Sequence, residues 1–175
     1  AVDPAELAGL DLGCWQVALN AAEPVRARTL DRFQAAFGPL GFRPEARHPG
    51  YGLAEATLAV AVAERGVRPV RRRVDPDALA LGRVVDVPAG REVIAGGREL
   101  AASGRELVAS GRMIPDTIVR IVDPQAGAAL PADRVGEIWV GGSGPAAGYW
   151  QRPEATAAAF GAALPGEPGP WLRTG

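Results

Sequence analysis

Gly50-Tyr51-Gly52-Leu53-Ala54-Glu55-Ala56-Thr57 puts one aromatic ring and one carboxylate into an otherwise uncharged run of small residues. The apolar run Leu58-Ala59-Val60-Ala61-Val62-Ala63 follows directly and predicts a buried strand. Tyr51 and Glu55 therefore lie on the approach to a strand, where open α/β sheets build ligand sites. Gly50 and Gly52 take side chains away on both sides of Tyr51, so a flat ligand can approach the backbone there. The tyrosine offers a face for stacking. A lone carboxylate such as Glu55 suits a hard cation, since Mg²⁺ takes one or two carboxylates and completes its shell with substrate phosphates. The competing reading is plainer: a strand end, a helix cap and a surface glutamate.

Bulk properties narrow the classes. The 175 residues are enough for one compact domain or two small ones, and 47% are hydrophobic. The net charge of −1, with both signs interspersed, argues against a nucleic-acid or anionic-membrane partner. All 19 basic residues are arginine. The single cysteine, Cys14, excludes an internal disulfide and any cysteine metal cluster. Beside Trp15 at a strand start it is expected to be a small buried residue. No signal peptide is evident and no apolar run approaches the roughly 20 residues of a membrane span, so a cytoplasmic setting is the default expectation. Both ends read as cut from a longer pattern.

Along the chain, Trp15-Gln16-Val17-Ala18-Leu19-Asn20 predicts a strand, and Ala21-Ala22-Glu23-Pro24 turns out of it. Thr29 is the expected N-cap of a helix whose Leu30, Phe33, Ala36 and Phe37 share one face. Gly38-Pro39-Leu40-Gly41 stops it. His48, the only histidine, has no nucleophile placed to use it and is read as structural or exposed. Arg68, Arg71, Arg72 and Arg73 form a basic patch, read as a solvated loop. Asp75 is expected to cap a short helix beginning at Pro76. Between residues 90 and 112 a Gly-Arg unit recurs every seven residues, at Gly90, Gly97, Gly104 and Gly111. A glycine in every unit costs about 1 kcal/mol each in a helix, so short strands or turns are expected rather than a coiled coil. Ile118–Asp123 and Glu137–Gly142 predict antiparallel strands. Glu137 reads as a structural hydrogen-bonding group, and Arg152–Phe160 as a helix.

Three stretches carry a family likeness. Tyr51-Gly52-Leu53-Ala54-Glu55-Ala56-Thr57 resembles the fifth core motif of the adenylate-forming enzymes, in the spelling of the fatty acyl-AMP ligases. Acyl-CoA ligases carry a threonine where this chain has Ala54. Trp15 to Pro24 is similar to the stretch that lines one side of the adenine pocket, with Ala21 standing where the family has glycine. Val135 to Trp150 resembles the sixth core motif. The likeness spans nearly the whole chain but only about a third of a complete ligase.

That resemblance implies an α/β fold. It predicts a partial mixed sheet with flanking helices over 1–64, a connecting insertion over 65–113, and a small antiparallel, barrel-like β unit over 114–175. In the family an insertion at about 75–112 disfavours the use of CoA. The implied reaction joins a fatty acid to ATP, giving acyl-adenylate and pyrophosphate, and passes the acyl group to an acyl carrier protein. Tyr51 and Gly52 would face adenine opposite Ala22, Glu23 and Pro24. Glu55 would hold Mg²⁺ and act as the catalytic carboxylate, and Thr57 would lie near the phosphate. The phosphate-binding loop, the ribose-binding aspartate and the catalytic lysine are missing from these residues, so the segment alone is expected to be inactive. Two alternatives stand beside this one: part of an acyl-CoA ligase, or a non-catalytic homologue that binds a nucleotide or a partner.

Overall fold

The computed structural model describes residues 7–88 and 104–175, and the backbone alone of Val93–Ala95 and Arg98–Leu100. In chain order the elements are β1 (Ala18–Asn20), helix α1 (Ala27–Phe37), β2 (Arg47–Leu53), β3 (Leu58–Val62), β4 (Arg71–Val74) and the short helix α2 (Pro76–Ala80). There follow β5 (Val93–Ala95), β6 (Arg98–Leu100), β7 (Arg105–Val108), β8 (Arg112–Met113), β9 (Thr117–Asp123), β10 (Ala128–Ala129), β11 (Glu137–Gly142), helix α3 (Pro153–Phe160) and β12 (Leu172–Arg173). The expected α/β architecture is present. One sheet runs β1-β2-β3-β8 and is mixed: β1 and β2 are parallel, and the other pairs are antiparallel. A second, wholly antiparallel sheet runs β10-β9-β11-β12. Two-stranded pairs β4-β7 and β5-β6 complete the set. Among the described residues no helix is long and apolar enough to cross a membrane.

The parallel β1–β2 pair requires a crossover, and α1 supplies it. The helix starts earlier than its sequence suggests. Arg26, not Thr29, is the N-cap residue, and it makes no side-chain cap. Thr29 lies inside the first turn, its N–H already donating to the Arg26 carbonyl at 3.0 Å. Leu30 is buried and Phe33 stacks among Trp15, Phe37 and Phe42, but Ala36 is exposed. The stop falls where expected: a 3₁₀ turn over Gly38–Leu40 ends on Gly41 at φ 88°, a left-handed conformation suited to glycine.

The first strand is shorter than the alternation implied. Trp15 is folded into a turn, its N–H on the Leu12 carbonyl and its indole on the Val17 carbonyl, so extended pairing begins only at Ala18. Cys14, in that turn, is exposed rather than buried. The run after Thr57 is likewise not buried throughout. Within β3 only Val60 is fully buried, while Leu58 is 73% exposed. The in–out alternation of a regular strand is broken here: the register with β2 passes from Gly52↔Ala59 to Tyr51↔Ala61, skipping Val60, and it is Val60 that meets the core.

The two sheets share a core of Ala56, Val60, Val140, Phe160 and Leu172, flanked by half-buried Tyr51, Leu53, Val119 and Ile138. A second cluster joins Val122, Trp139, Leu164 and Trp171. The β2–β3 hairpin is therefore packed directly on the antiparallel unit. Glu137 is structural: its side chain, only 6% exposed, accepts from Arg173 at 3.1 Å and from the Gly175 N–H at 3.1 Å. Burial pushes its carboxyl up, but these donors prevail and hold it below the usual range. His48 is structural as well, 3% exposed with Nδ1 against the Ala46 carbonyl.

Of the arginine patch, Arg71, Arg72 and Arg73 lie in a strand rather than a loop, while Arg68 stays in the preceding loop as read. Arg71 of β4 grips Asp31 of α1 through two bonds of 2.6 and 3.1 Å and reaches Glu106 of β7 at 3.3 Å. Arg72 pairs with Asp86, and Arg68 with Glu45. Asp75 caps α2 as its sequence indicates, accepting from the N–H groups of Asp77 and Ala78. The repeat units at Arg98, Arg105 and Arg112 each open a short strand, whereas the unit at Gly90 lies outside the described residues.

Candidate functional site

Strand β2 delivers the central motif. Its ladder with β3 carries a bulge between Tyr51 and Gly52. At that bulge the backbones come so close that a Cβ on Gly52 would stand 1.7 Å from the Leu58 carbonyl oxygen. The bare Cα there lets the hairpin close on itself. Gly50 is under no such pressure, since a Cβ there would meet Ala61 O and Leu19 Cδ1 at 3.4 Å, an ordinary contact. The chain then makes a 3₁₀ turn over Ala54–Ala56 and passes through two left-handed residues, Thr57 at φ 55° and Leu58 at φ 78°. Neither is glycine, so each stores roughly 1–3 kcal/mol of backbone strain.

Two cavities flank the motif. A cleft of 240 Å³ is lined by Ala22, Glu23, Pro24, Gly50, Tyr51, Gly52 and Ser110, among others. The turn after β1 thus forms one wall and the Gly50–Gly52 segment the other. Ala22 holds this turn at φ 72°, again left-handed without being glycine. A second cavity of 260 Å³ shares Ala22 and Gly50 to Gly52 but is otherwise walled by aliphatic residues, including Leu19, Ala21, Leu58 and Val62. Ala21 borders this apolar cavity and does not line the cleft beside Glu23. Tyr51 is half-buried: it packs on the shared core and also lines both cavities.

Five of the seven candidate residues, Ala22, Glu23, Pro24, Tyr51 and Gly52, surround one cleft. Glu55 and Thr57 occupy the next turn and do not line it. They are tied to the loop that leaves β11. The Thr57 hydroxyl donates to the Gly144 carbonyl at 2.6 Å, and the Ala146 N–H donates to the Glu55 carbonyl at 2.8 Å. The Tyr149 hydroxyl donates to Glu55 Oε1 at 2.7 Å. That phenol, and then Glu55's own backbone N–H, hold the Glu55 carboxyl below the usual carboxylate range. The same bond pushes the Tyr149 phenol up. Glu55 is therefore ionised at neutral pH.

Among the described residues no three histidine, cysteine or acidic side chains gather as a metal site. A single charged carboxylate is nevertheless a fitting donor for Mg²⁺, which relies mainly on substrate phosphates and water. Among the described residues the one side-chain donor to the Glu55 carboxylate is Tyr149, at Oε1, so Oε2 meets no side-chain donor and is available to such an ion.

Sequence reasoning missed Ser110 and Tyr149. Nothing in the sequence brings Ser110 to the cleft, because its place depends on the turn between β7 and β8. Tyr149 did have a signal, standing inside the sixth-motif stretch, but its partner lies 94 positions upstream.

Residues 3–150 match the family model described as AMP-binding enzyme. The chain is 42% identical, over 97% of its length, to a Mycobacterium tuberculosis protein provisionally named fatty-acid–CoA ligase FadD25. It is also 42% identical, over 96% of its length, to the medium-chain-fatty-acid–[acyl-carrier-protein] ligase JamA of Moorena producens. Among solved structures it resembles the fatty acyl-adenylate ligase of L. pneumophila in complex with acyl adenylate and pyrophosphate, with a TM-score of 0.86, 36% identity and 99% of this chain covered. The chain spans only 28% of FadD25, 27% of JamA and 28% of the L. pneumophila structure. With the family model matched over most of its residues, in the fold of a solved fatty acyl-adenylate ligase, the chain belongs to the AMP-binding enzyme family.

Proposed function

We propose that these residues form the adenine-side wall and cation-holding turn of a fatty acyl-AMP ligase, which joins a fatty acid to ATP with release of pyrophosphate and passes the acyl group to an acyl carrier protein. The observation that carries this reading is the cleft between Ala22-Glu23-Pro24 and Gly50-Tyr51-Gly52. It has an aromatic residue on one wall, in a chain similar to a ligase whose structure holds acyl adenylate. Tyr51 presents an aromatic surface to the adenine, and the Ala22–Pro24 turn closes the opposite side. Glu55, ionised on the turn next to the cleft, would hold a Mg²⁺ ion. That ion, when bound, supplies charge neutralisation at the phosphate oxygens. The chain's own contribution is positioning and fixed charge, which dominate catalysis of this kind. Thr57 sits beside Glu55 with its hydroxyl proton committed to Gly144, so only its oxygen lone pairs remain for a ligand. By this reading 1–64 belongs to the nucleotide-binding part, 65–113 is a connecting insertion and 114–175 is the β-rich part. The name of the FadD25 relative favours a second reading, with CoA as the acceptor.

The test is fatty-acid-dependent ATP–pyrophosphate exchange in the longest expressed form of the protein that carries residues 1–175. Exchange is expected, and Glu55→Gln is expected to lower it by about 10²-fold, the scale of losing one electrostatic contact to the transition state. Exchange untouched by Glu55→Gln overturns the role given to that residue. Supplying CoA and an acyl carrier protein in parallel decides the acceptor.

A further inference from the structure

The loop Ser143–Trp150 holds the Glu55 turn at three points, two through backbone and one through a side chain. Ala146 N–H reaches the Glu55 carbonyl, Thr57 reaches the Gly144 carbonyl, and the Tyr149 phenol reaches the carboxylate itself at 2.7 Å. The Tyr149 ring is braced against Phe160 of α3, edge to face, with centroids 5.2 Å apart. Tyr149 also has its N–H on the Thr156 hydroxyl at 2.9 Å. Phe160 in turn belongs to the core shared by both sheets. A side chain that is 40% exposed is thus fixed at both its ring and its backbone. A free glutamate at this position would sample several rotamers, and ordering one costs conformational entropy.

We propose that Tyr149 is a positioning residue for Glu55. It donates to Oε1, fixes the carboxylate plane, and leaves Oε2 as the oxygen with no side-chain donor to present to the cation. This inference rests on the metal-holding role proposed for Glu55. The chemistry is that of a hydrogen-bonded partner behind a metal ligand: the partner sets the ligand's orientation without touching the ion. The antiparallel unit contributes to the site through this bond. Its loop aims a residue that belongs to the other sheet.

The test is Mn²⁺ binding, read by electron paramagnetic resonance as a stand-in for Mg²⁺, to the longest expressed form of the protein saturated with a non-hydrolysable ATP analogue. Tyr149→Phe keeps the ring on Phe160 and removes only the hydroxyl. It is expected to weaken Mn²⁺ binding about tenfold, the lower end of the range for such partners because this one is partly solvated. Trp150→Ala alters the same loop at a residue 87% exposed, and is expected to leave Mn²⁺ affinity as it was. Circular dichroism at the assay temperature establishes that each variant is folded. Should Tyr149→Phe prove unfolded, Thr156→Val, which frees the Tyr149 backbone while sparing its phenol, is expected to weaken Mn²⁺ binding by a smaller factor, and wild-type affinity in it overturns the proposal. Mn²⁺ affinity unchanged in Tyr149→Phe but lost in Glu55→Gln overturns the role of Tyr149 and leaves Glu55 as ligand. Equal weakening by Tyr149→Phe and Trp150→Ala also overturns it, since the loop as a whole is then responsible. Full affinity in Glu55→Gln removes the metal role itself.

Discussion

Substituting Gly52 by alanine tests the reason given for the bare Cα at the β2–β3 bulge. The added Cβ would lie 1.7 Å from Leu58 O, 2.7 Å from Leu58 C and 3.1 Å from Ala59 Cα, where real Cβ contacts essentially never fall below 3.0 Å. The obstacles are backbone atoms, so no side-chain rotation relieves them, and the strands must part by more than an ångström. Overpacking of this kind costs roughly 1–3 kcal/mol, and a ladder hydrogen bond broken beside the bulge adds about 1 kcal/mol. A loss of about 3 kcal/mol follows. With a urea slope near 2 kcal/mol/M, the unfolding midpoint should fall by about 1.5 M. Gly50→Ala is the matched control, because its Cβ fits at 3.4 Å and its backbone needs no positive φ. Its stability should stay within about 1 kcal/mol of the parent. The assay is urea denaturation of both variants followed by circular dichroism. Equal midpoints for Gly52→Ala and the parent, or an equal loss in Gly50→Ala, would refute the steric account.

Two further outcomes follow from the fold. Arg71→Met releases Asp31 and Glu106 and should weaken the hold of β4 and β7 on α1, by under about 1 kcal/mol because Asp31 is well exposed. The hydrogen bonds from Arg71 keep the Asp31 carboxyl below its ordinary 3.8, so the advantage of the parent over Arg71→Met is full near neutrality. It should close as the pH falls through the folded-state value, and shrink in high salt; urea midpoints across pH and salt check both. Asp75→Ala removes the cap on the N–H groups of Asp77 and Ala78 and should cost about 1 kcal/mol, measured the same way.

Much of this arrangement was legible in the residues. Asp75 before Pro76 announces a capped helix, and Gly38 to Gly41 announces a stop, because both depend on atoms within one turn of each other. The stretches Glu137–Gly142 and Ile118–Asp123 announced an antiparallel pair, which the structure extends by one residue to Thr117. The misses share one cause, namely that distant packing overrules local preference. Thr29 is a good cap by type, yet the chain has already entered the helix before reaching it. Leu58 and Val62 are as apolar as any core residue, yet both stay exposed while Val60, skipped by the register shift of the β2–β3 ladder, is the fully buried one. Trp15 alternates correctly for a strand, but its ring meets Phe33 and Phe42 edge-on and a turn brings it there. The wall of the cleft was readable because its residues are contiguous in two short segments. The hold of Tyr149 on Glu55 was not, because only the docking of two sheets creates it.

The pairing of β4 with β7 sets Val74 opposite Arg105, so the chain departs from and returns to neighbouring points. Within this excursion Gly82 and Val84 are hydrogen-bonded to Val135 and Asp133, and Val85 and Val87 to Asp75 and Arg73, so its first part is tied to the rest of the fold up to Val87. A doubling of such an excursion costs only about 0.6 kcal/mol in closure entropy. Extra length added after Val87 is thermodynamically cheap by this measure, and the cleft beside Tyr51 keeps its register.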